Sequence, residues 1–232
     1  MTMAAIALIC EGVSEIKMLT YIIERYLGEN VAVNPIQPSL KLLHVQEKQN
    51  DNGGWLQVIN HCTDEIIKDI MASNDFLVLQ IDTDACAQAN YDVDIYDDNH
   101  HKVADEILYE RVCDRLKRNI SEDIWNEYSN RIIFAICFDE TECWLLPLYY
   151  ANDTKKRCAT NNCIYILNQM LQKEGLGIPS KEKNTPEAAK VYQKVLKKMK
   201  QKEIPNIAQY NYGFQKFVEQ MDAIKDEIAG TE

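Results

Sequence analysis

Three times in this chain an apolar run ends in carboxylates. AAIALIC (4–10) is followed by Glu11-Gly12 and then Glu15, FLVLQI (76–81) by Asp82-Thr83-Asp84, and IIFAICF (132–138) by Asp139, Glu140 and Glu142. Short continuous apolar runs read as buried strands of a parallel sheet. The carboxyl ends of such strands lie along one edge, where the loops form a ligand crevice, so these acids are expected to converge. Converging carboxylates raise one another's pKa and cannot all ionise near neutral pH without a cation. A hard divalent ion, Mg2+ or Mn2+, takes oxygen ligands and suits phosphoryl or phosphodiester chemistry. Any one of these acids alone is an ordinary strand-end polar residue; an EGxxE and a DxD, each behind a buried run, favour the metal.

The elements that must position them alternate. After the first strand, Ser14 can cap a helix whose Ile16, Leu19, Ile22, Ile23, Tyr26 and Leu27 share a face before Gly28 ends it. QEKQNDNGGW breaks the chain, and WLQVINHCTDEIIKDIMA reads as one helix. Residues 85–101 have no periodicity and read as a surface loop; their acids lack the glycine and terminal glutamate of a calcium loop. HKVADEILYERVCDRLKRNI is an amphipathic helix, ETECWLLPLYY opens another, and the chain from about 160 onward reads as helical, with Pro186 near a helix start. The predicted fold is α/β, a mostly parallel sheet flanked by helices over 1–150, with a helical extension over 151–232 that carries a basic segment and packs on the first part.

The net charge of -11 argues against a nucleic-acid surface until its distribution is read. Residues 1–150 hold 11 basic and 26 acidic side chains, whereas 151–203 hold 12 and 5. A solvated helix face is the commoner meaning of such a basic run; beside a metal site it becomes a candidate polyanion surface, with Lys194, Lys197 and Lys198 at its centre. No apolar stretch is long enough for a membrane span, and MTMAAIALICEG lacks the basic region and cleavage site of a signal peptide, so the expected setting is the cytoplasm, without a membrane partner. The eight cysteines are then expected to be reduced, with Cys10, Cys137 and Cys143 as small buried hydrophobes; Cys158 and Cys163 have no second ligand pair, so zinc is not expected. Trp144 and Leu145 read as core anchors, Tyr149 and Tyr150 as packing, Ser14 as a cap and not a nucleophile, and Gly12 as a residue chosen for backbone freedom at the turn.

The Glu-Gly at the first strand end and the later Asp-x-Asp resemble the signature of the Toprim domain of topoisomerases, primases and the OLD (overcoming lysogenization defect) nucleases. CEGVSEIKML is similar to the OLD form, in which a second acid leads into a helix. FDETECWLLPL and NYGFQKFVEQM are similar to segments of small stand-alone Toprim-like proteins of prokaryotes, often encoded beside ATPase partners in phage-defence loci. Ala85-Cys86 and the acidic loop 88–98 depart from the family pattern.

The resemblance implies a Mg2+- or Mn2+-dependent nuclease acting on DNA or RNA within an anti-phage or toxin-like assembly. Glu11 matches the Toprim glutamate that holds a metal or relays a proton to the leaving oxygen. Asp82 and Asp84 match the metal-binding DxD, Glu15 helps hold a second metal, and Glu142 completes the site, with Glu140 as the alternative; Asp139 has no assigned role. No Walker-type phosphate loop is present, which leaves ATP hydrolysis to a partner protein. Two other readings stand beside the nuclease: a Toprim-fold interaction or signal-binding subunit that cuts nothing, and a metal-dependent enzyme acting on a small phosphomonoester or nucleotide. The oligomeric state is not readable from these residues.

Overall fold

The structure, a computed structural model, describes residues 3–38, 54–179, 183 and 185–229; His44 and most of the expected loop at 46–55 lie outside them. Four strands, β1 (Ala4–Ile9), β2 (Val31–Gln37), β3 (Phe76–Asp82) and β4 (Ile132–Cys137), form one all-parallel sheet in the order β2-β1-β3-β4. The three apolar runs of the sequence are its three other strands around one that periodicity did not announce: β2, VAVNPIQ, is only partly buried at a sheet edge and interrupted by Pro35.

Helix α1 (Val13–Leu27) links β1 to β2, and its C-terminus turns on Gly28 at φ +95°, as expected of a helix-ending glycine. Its start differs from expectation. Gly12 is the N-cap in ordinary extended backbone, so no left-handed turn explains it, and Ser14 lies inside the first turn, where its hydroxyl donates to the Glu15 carboxylate at 2.8 Å. The helix read over 55–72 is two, α2 (Trp55–His61) and α3 (Asp64–Met71), broken at Cys62-Thr63. Helices α4 (Asp105–Lys117) and α5 (Glu122–Tyr128) precede β4. A 3-10 helix, Thr141–Leu148, follows β4, and then come α6 (Thr154–Arg157), α7 (Cys163–Leu171), α8 (Pro186–Leu196), α9 (Ile204–Ala208) and α10 (Tyr212–Ala229). No helix of the described residues is long and apolar enough to cross a membrane.

Strand alternation divides the core between the two faces. Ala7, Ile9, Leu77, Leu79 and Phe134 pack with α2 to α5, while Ile6, Leu8, Val78 and Ala135 pack with α1, the 3-10 helix and α7 to α10. The first crossover thus covers one face and the next two cover the other, the pattern of a Rossmann-like, doubly wound α/β fold with C-terminal helices completing one layer. Trp144 is fully buried and stacked on Phe214 at 4.4 Å and Phe217 at 5.6 Å, the anchor its sequence context suggested, and Tyr150 is buried with its hydroxyl donating to Ile166 O.

Helix α10 lies along β4, and Gln220 seals the strand's outer edge: its Oε1 accepts the Phe134 N–H at 2.9 Å and its Nε2 donates to Phe134 O at 3.0 Å. The approach depends on Gly213, where an added Cβ would meet Ile136 O at 1.9 Å. Gly213→Ala must push the helix off the strand and is expected to cost about 1–3 kcal/mol, the range for overpacking. A urea midpoint equal to wild type would show that α10 yields without cost.

Candidate active site

The strand order reverses direction between β1 and β3, and the crevice beyond their carboxyl ends is the natural ligand position of such a sheet. Here the acids do meet. The Asp82 backbone N–H donates to Glu11 Oε1 at 2.6 Å, joining the ends of the two strands. Gln80, fully buried one pleat earlier on the same face as Asp82, braces both: its Oε1 accepts the Glu11 N–H at 3.0 Å and its Nε2 donates to Asp82 Oδ1 at 2.8 Å. Thr141 Oγ1 donates to the same Asp82 oxygen at 3.0 Å, tying in the 3-10 helix. Glu15 and Glu142 are buried and electrostatically coupled to Asp82; Asp84, beside Glu11, is more open.

The extension supplies the cation. Lys183 Nζ reaches Glu140 Oε2 at 3.0 Å and Glu142 Oε2 at 3.1 Å, and the hydroxyl of Tyr192 on α8 donates to Glu142 Oε1. Glu140 Oε1 accepts the Ile164 N–H at the start of α7. Both Glu142 oxygens are therefore engaged, and Glu140 is held between Lys183 and α7. Lys194, Lys197 and Lys198 are exposed and away from these contacts; Lys198 pairs with Glu174 at 2.5 Å and lies over the Tyr149 ring.

One ammonium cannot balance this many carboxylates. Burial lifts the Glu11 carboxyl to about 8, with the Asp82 amide pulling it down and the charges of Glu15 and Asp84 pushing it up. Burial, then Glu11, Glu15 and Glu142, hold Asp82 well above the usual carboxylate range. Burial lifts Glu142 to about 7 against the opposing pull of Lys183. Burial alone would lower the Lys183 pKa, but Glu142 and Glu140, helped by Asp82 and Glu15, outweigh it and raise it. The donor set is all oxygen, acidic and short of positive charge at neutral pH, which fits a hard divalent cation and not a soft one.

The cysteine expectation needs correction. Cys143, the residue after Glu142, forms a disulfide with Cys163, the first residue of α7, across a Cα–Cα distance of 5.0 Å. The cause is packing: the 3-10 helix and α7 meet in the core, and both sulfurs are shut off from solvent. Asp139, at φ +62°, lies close to this pair, but bonded sulfurs offer no thiolate, so the trio is not a metal site in this form. The bond closes a sequence separation of 20, and reducing it is expected to cost about 3 kcal/mol. Urea midpoints with and without reductant check this, and a Cys163→Ala variant should not respond to reductant.

Compared with family models, with curated proteins and with solved structures, the chain matches none. Four residues of the site the sequence reading did not single out: Gln80, Thr141, Lys183 and Tyr192. Gln80 carried a signal, a lone amide inside the apolar run FLVLQI; Lys183 carried none, being one lysine in a basic stretch that meets the acids only through folding.

Proposed function

We propose that this protein is a Mg2+- or Mn2+-dependent phosphodiester hydrolase acting on DNA or RNA, as its Toprim-like residues imply. The observation that carries the reading is the hydrogen bond from the Asp82 amide to Glu11 at the switch point, which gathers Glu11, Glu15, Asp82 and Asp84 beyond two adjacent strand ends with too little positive charge nearby. Glu15, Asp82 and Asp84 would hold the ion, joined by Glu11 when it is ionised, and the ion when bound supplies Lewis acidity toward a phosphoryl oxygen. Gln80 and Thr141 fix the orientation of Asp82 and leave the ligand geometry little freedom. Water attacks phosphorus and passes its proton to solvent, the P–O bond to the leaving oxygen breaks, and that oxygen takes its proton from the Glu11 carboxyl standing off the ion, the role the resemblance gives Glu11 as the alternative to holding a metal. Lys183 bridges Glu140 and Glu142 and gives the two a single shared countercharge. The resemblance further assigns the protein to an anti-phage or toxin-like assembly with an ATPase partner.

One observation favours the non-catalytic reading: Lys183 and Tyr192 satisfy Glu142 without any ion. Calorimetric titration of Mg2+ and Mn2+ into wild type and into Asp82→Asn/Asp84→Asn separates the two. Saturable binding lost in the variant, together with EDTA-sensitive cleavage of plasmid, oligonucleotide or RNA, supports the hydrolase. Absent binding moves the interaction subunit ahead.

A further inference from the structure

The 3-10 helix carries Glu142 near its start and Pro147 and Leu148 at its end, where a second cleft of about 330 Å³ opens toward α9. Its lining joins Arg157 and Lys198 to Asn206 and Tyr210. The Arg157 guanidinium lies 4.1 Å over the Tyr210 ring and is held by Ala151 O at 2.6 Å and Thr154 Oγ1 at 3.2 Å. Among the described residues it forms no ion pair, and its Nε is buried without a hydrogen-bond partner. Lys198 sits 4.2 Å over Tyr149, and Lys156, beside Arg157 on α6, sits 4.9 Å over Tyr150. Opposing them are Glu174, paired with Lys198, and Glu203, which lines the cleft and lies 3.8 Å from Lys200.

We infer that this cleft holds a single-stranded polynucleotide, with Arg157 and Lys198 on its phosphates and the half-buried Tyr210 ring against a base. Cations that track a backbone, set beside aromatic rings that accept any base, are the general solution for single strands. The planar fork of Arg157 is already oriented by Ala151 O and Thr154 Oγ1, and among the described residues no carboxylate forms an ion pair with it. The inference rests on the hydrolase reading for its direction. Glu142 and Leu148 are six residues apart, roughly 12 Å along a 3-10 helix at about 2 Å per residue. That helix is buried, so a strand serving both cleft and acids passes over its covering and spans at least about four nucleotides at about 3.4 Å each.

The test is fluorescence anisotropy of a labelled 12-mer of deoxythymidine, in EDTA, across a salt series. The double variant Arg157→Ala/Lys198→Ala is expected to bind at least about tenfold more weakly, with a salt slope smaller by about 1.4, the loss of two single-strand phosphate contacts. Arg157→Lys, which keeps the charge and loses the fork, should bind more weakly than wild type and more tightly than the double variant, and Lys68→Ala, on α3 beneath the opposite face, should retain all of the affinity. Glu203→Gln, an exposed change that cannot unfold the protein, should tighten binding. No binding by wild type, a double variant within twofold of wild type, an equal loss in Lys68→Ala, or no gain in Glu203→Gln each overturns the inference. Because EDTA is present, failure of cleavage leaves this result standing, and Mg2+-dependent cleavage that survives in the double variant at the wild-type rate overturns the cleft without touching the metal site.

Discussion

Asp82→Asn is expected to make the metal-free protein more heat-stable while removing its affinity for Mg2+. In the fold Asp82 is buried beside Glu11, Glu15 and Glu142, and the charge it carries is opposed by all three. Asparagine keeps the oxygen that accepts from Gln80 and Thr141, so the structural bonds survive and only the repulsion goes. Relief of roughly 2 kcal/mol corresponds to a rise of about 4–8 °C in a chain of this size.

The pH dependence has a definite sign. Glu11 moves from an ordinary 4.5 to about 8 on folding, and Glu142 from 4.5 to about 7, so the folded state binds protons more tightly than the unfolded one. Their penalty is absent below pH 4.5, grows as pH rises toward 8, and is constant above. Scanning calorimetry in EDTA at pH 5 and pH 8.5 should show this contribution as a lower Tm at the higher pH, reduced in the variant, with Mg2+ raising the pH 8.5 value of wild type alone. A variant that melts lower than wild type in EDTA and still binds Mg2+ would remove Asp82 from the site.

Lys183→Met should produce the largest loss. Methionine keeps the length of the stem but withdraws the ammonium from Glu142, which is 1% exposed, and from Glu140. Breaking a buried pair by removing one partner costs about 3–5 kcal/mol, on the order of 10 °C here. Wild-type Lys183 holds the Glu142 carboxyl down, so without it Glu142 protonates at higher pH; the deficit is full above that point and shrinks on acidification. Mg2+ should restore part of the loss, since a divalent ion can take over the role of countercharge. A Tm change below about 2 °C, measured at pH 8, would mean that Lys183 is not holding the rim together.

What could be read before folding was the backbone logic of the site. FLVLQI and IIFAICF are unambiguous because strands buried on both faces need no alternation, and their terminal acids followed from that assignment. The half-exposed edge strand β2 offered no such run. The break at Cys62-Thr63 did carry a signal, Thr63 before Asp64 and Glu65 at the start of α3, which the continuous apolar spacing across 55–72 outweighed, and α5 was missed because only Ile124 of its seven residues is buried. The partners of Glu142 were illegible for another reason: Lys183 and Tyr192 lie 41 and 50 residues away, and no local pattern records which lysine of a basic stretch a tertiary contact will select. The same holds for Cys143 and Cys163, whose pairing is a product of how α7 docks.

The two outer strands carry a last consequence, for self-association. A sheet edge with open amides and carbonyls is a template on which a second chain can add a strand and start a fibre or a swapped dimer. On β4 the Gln220 amide imitates one residue of a neighbouring strand, donating and accepting where an incoming chain would. On β2, Pro35 removes one donor from the row. The protein thus meets its own copies with one sheet margin already answered and the other interrupted, a safeguard in which a helix side chain terminates the sheet at four strands.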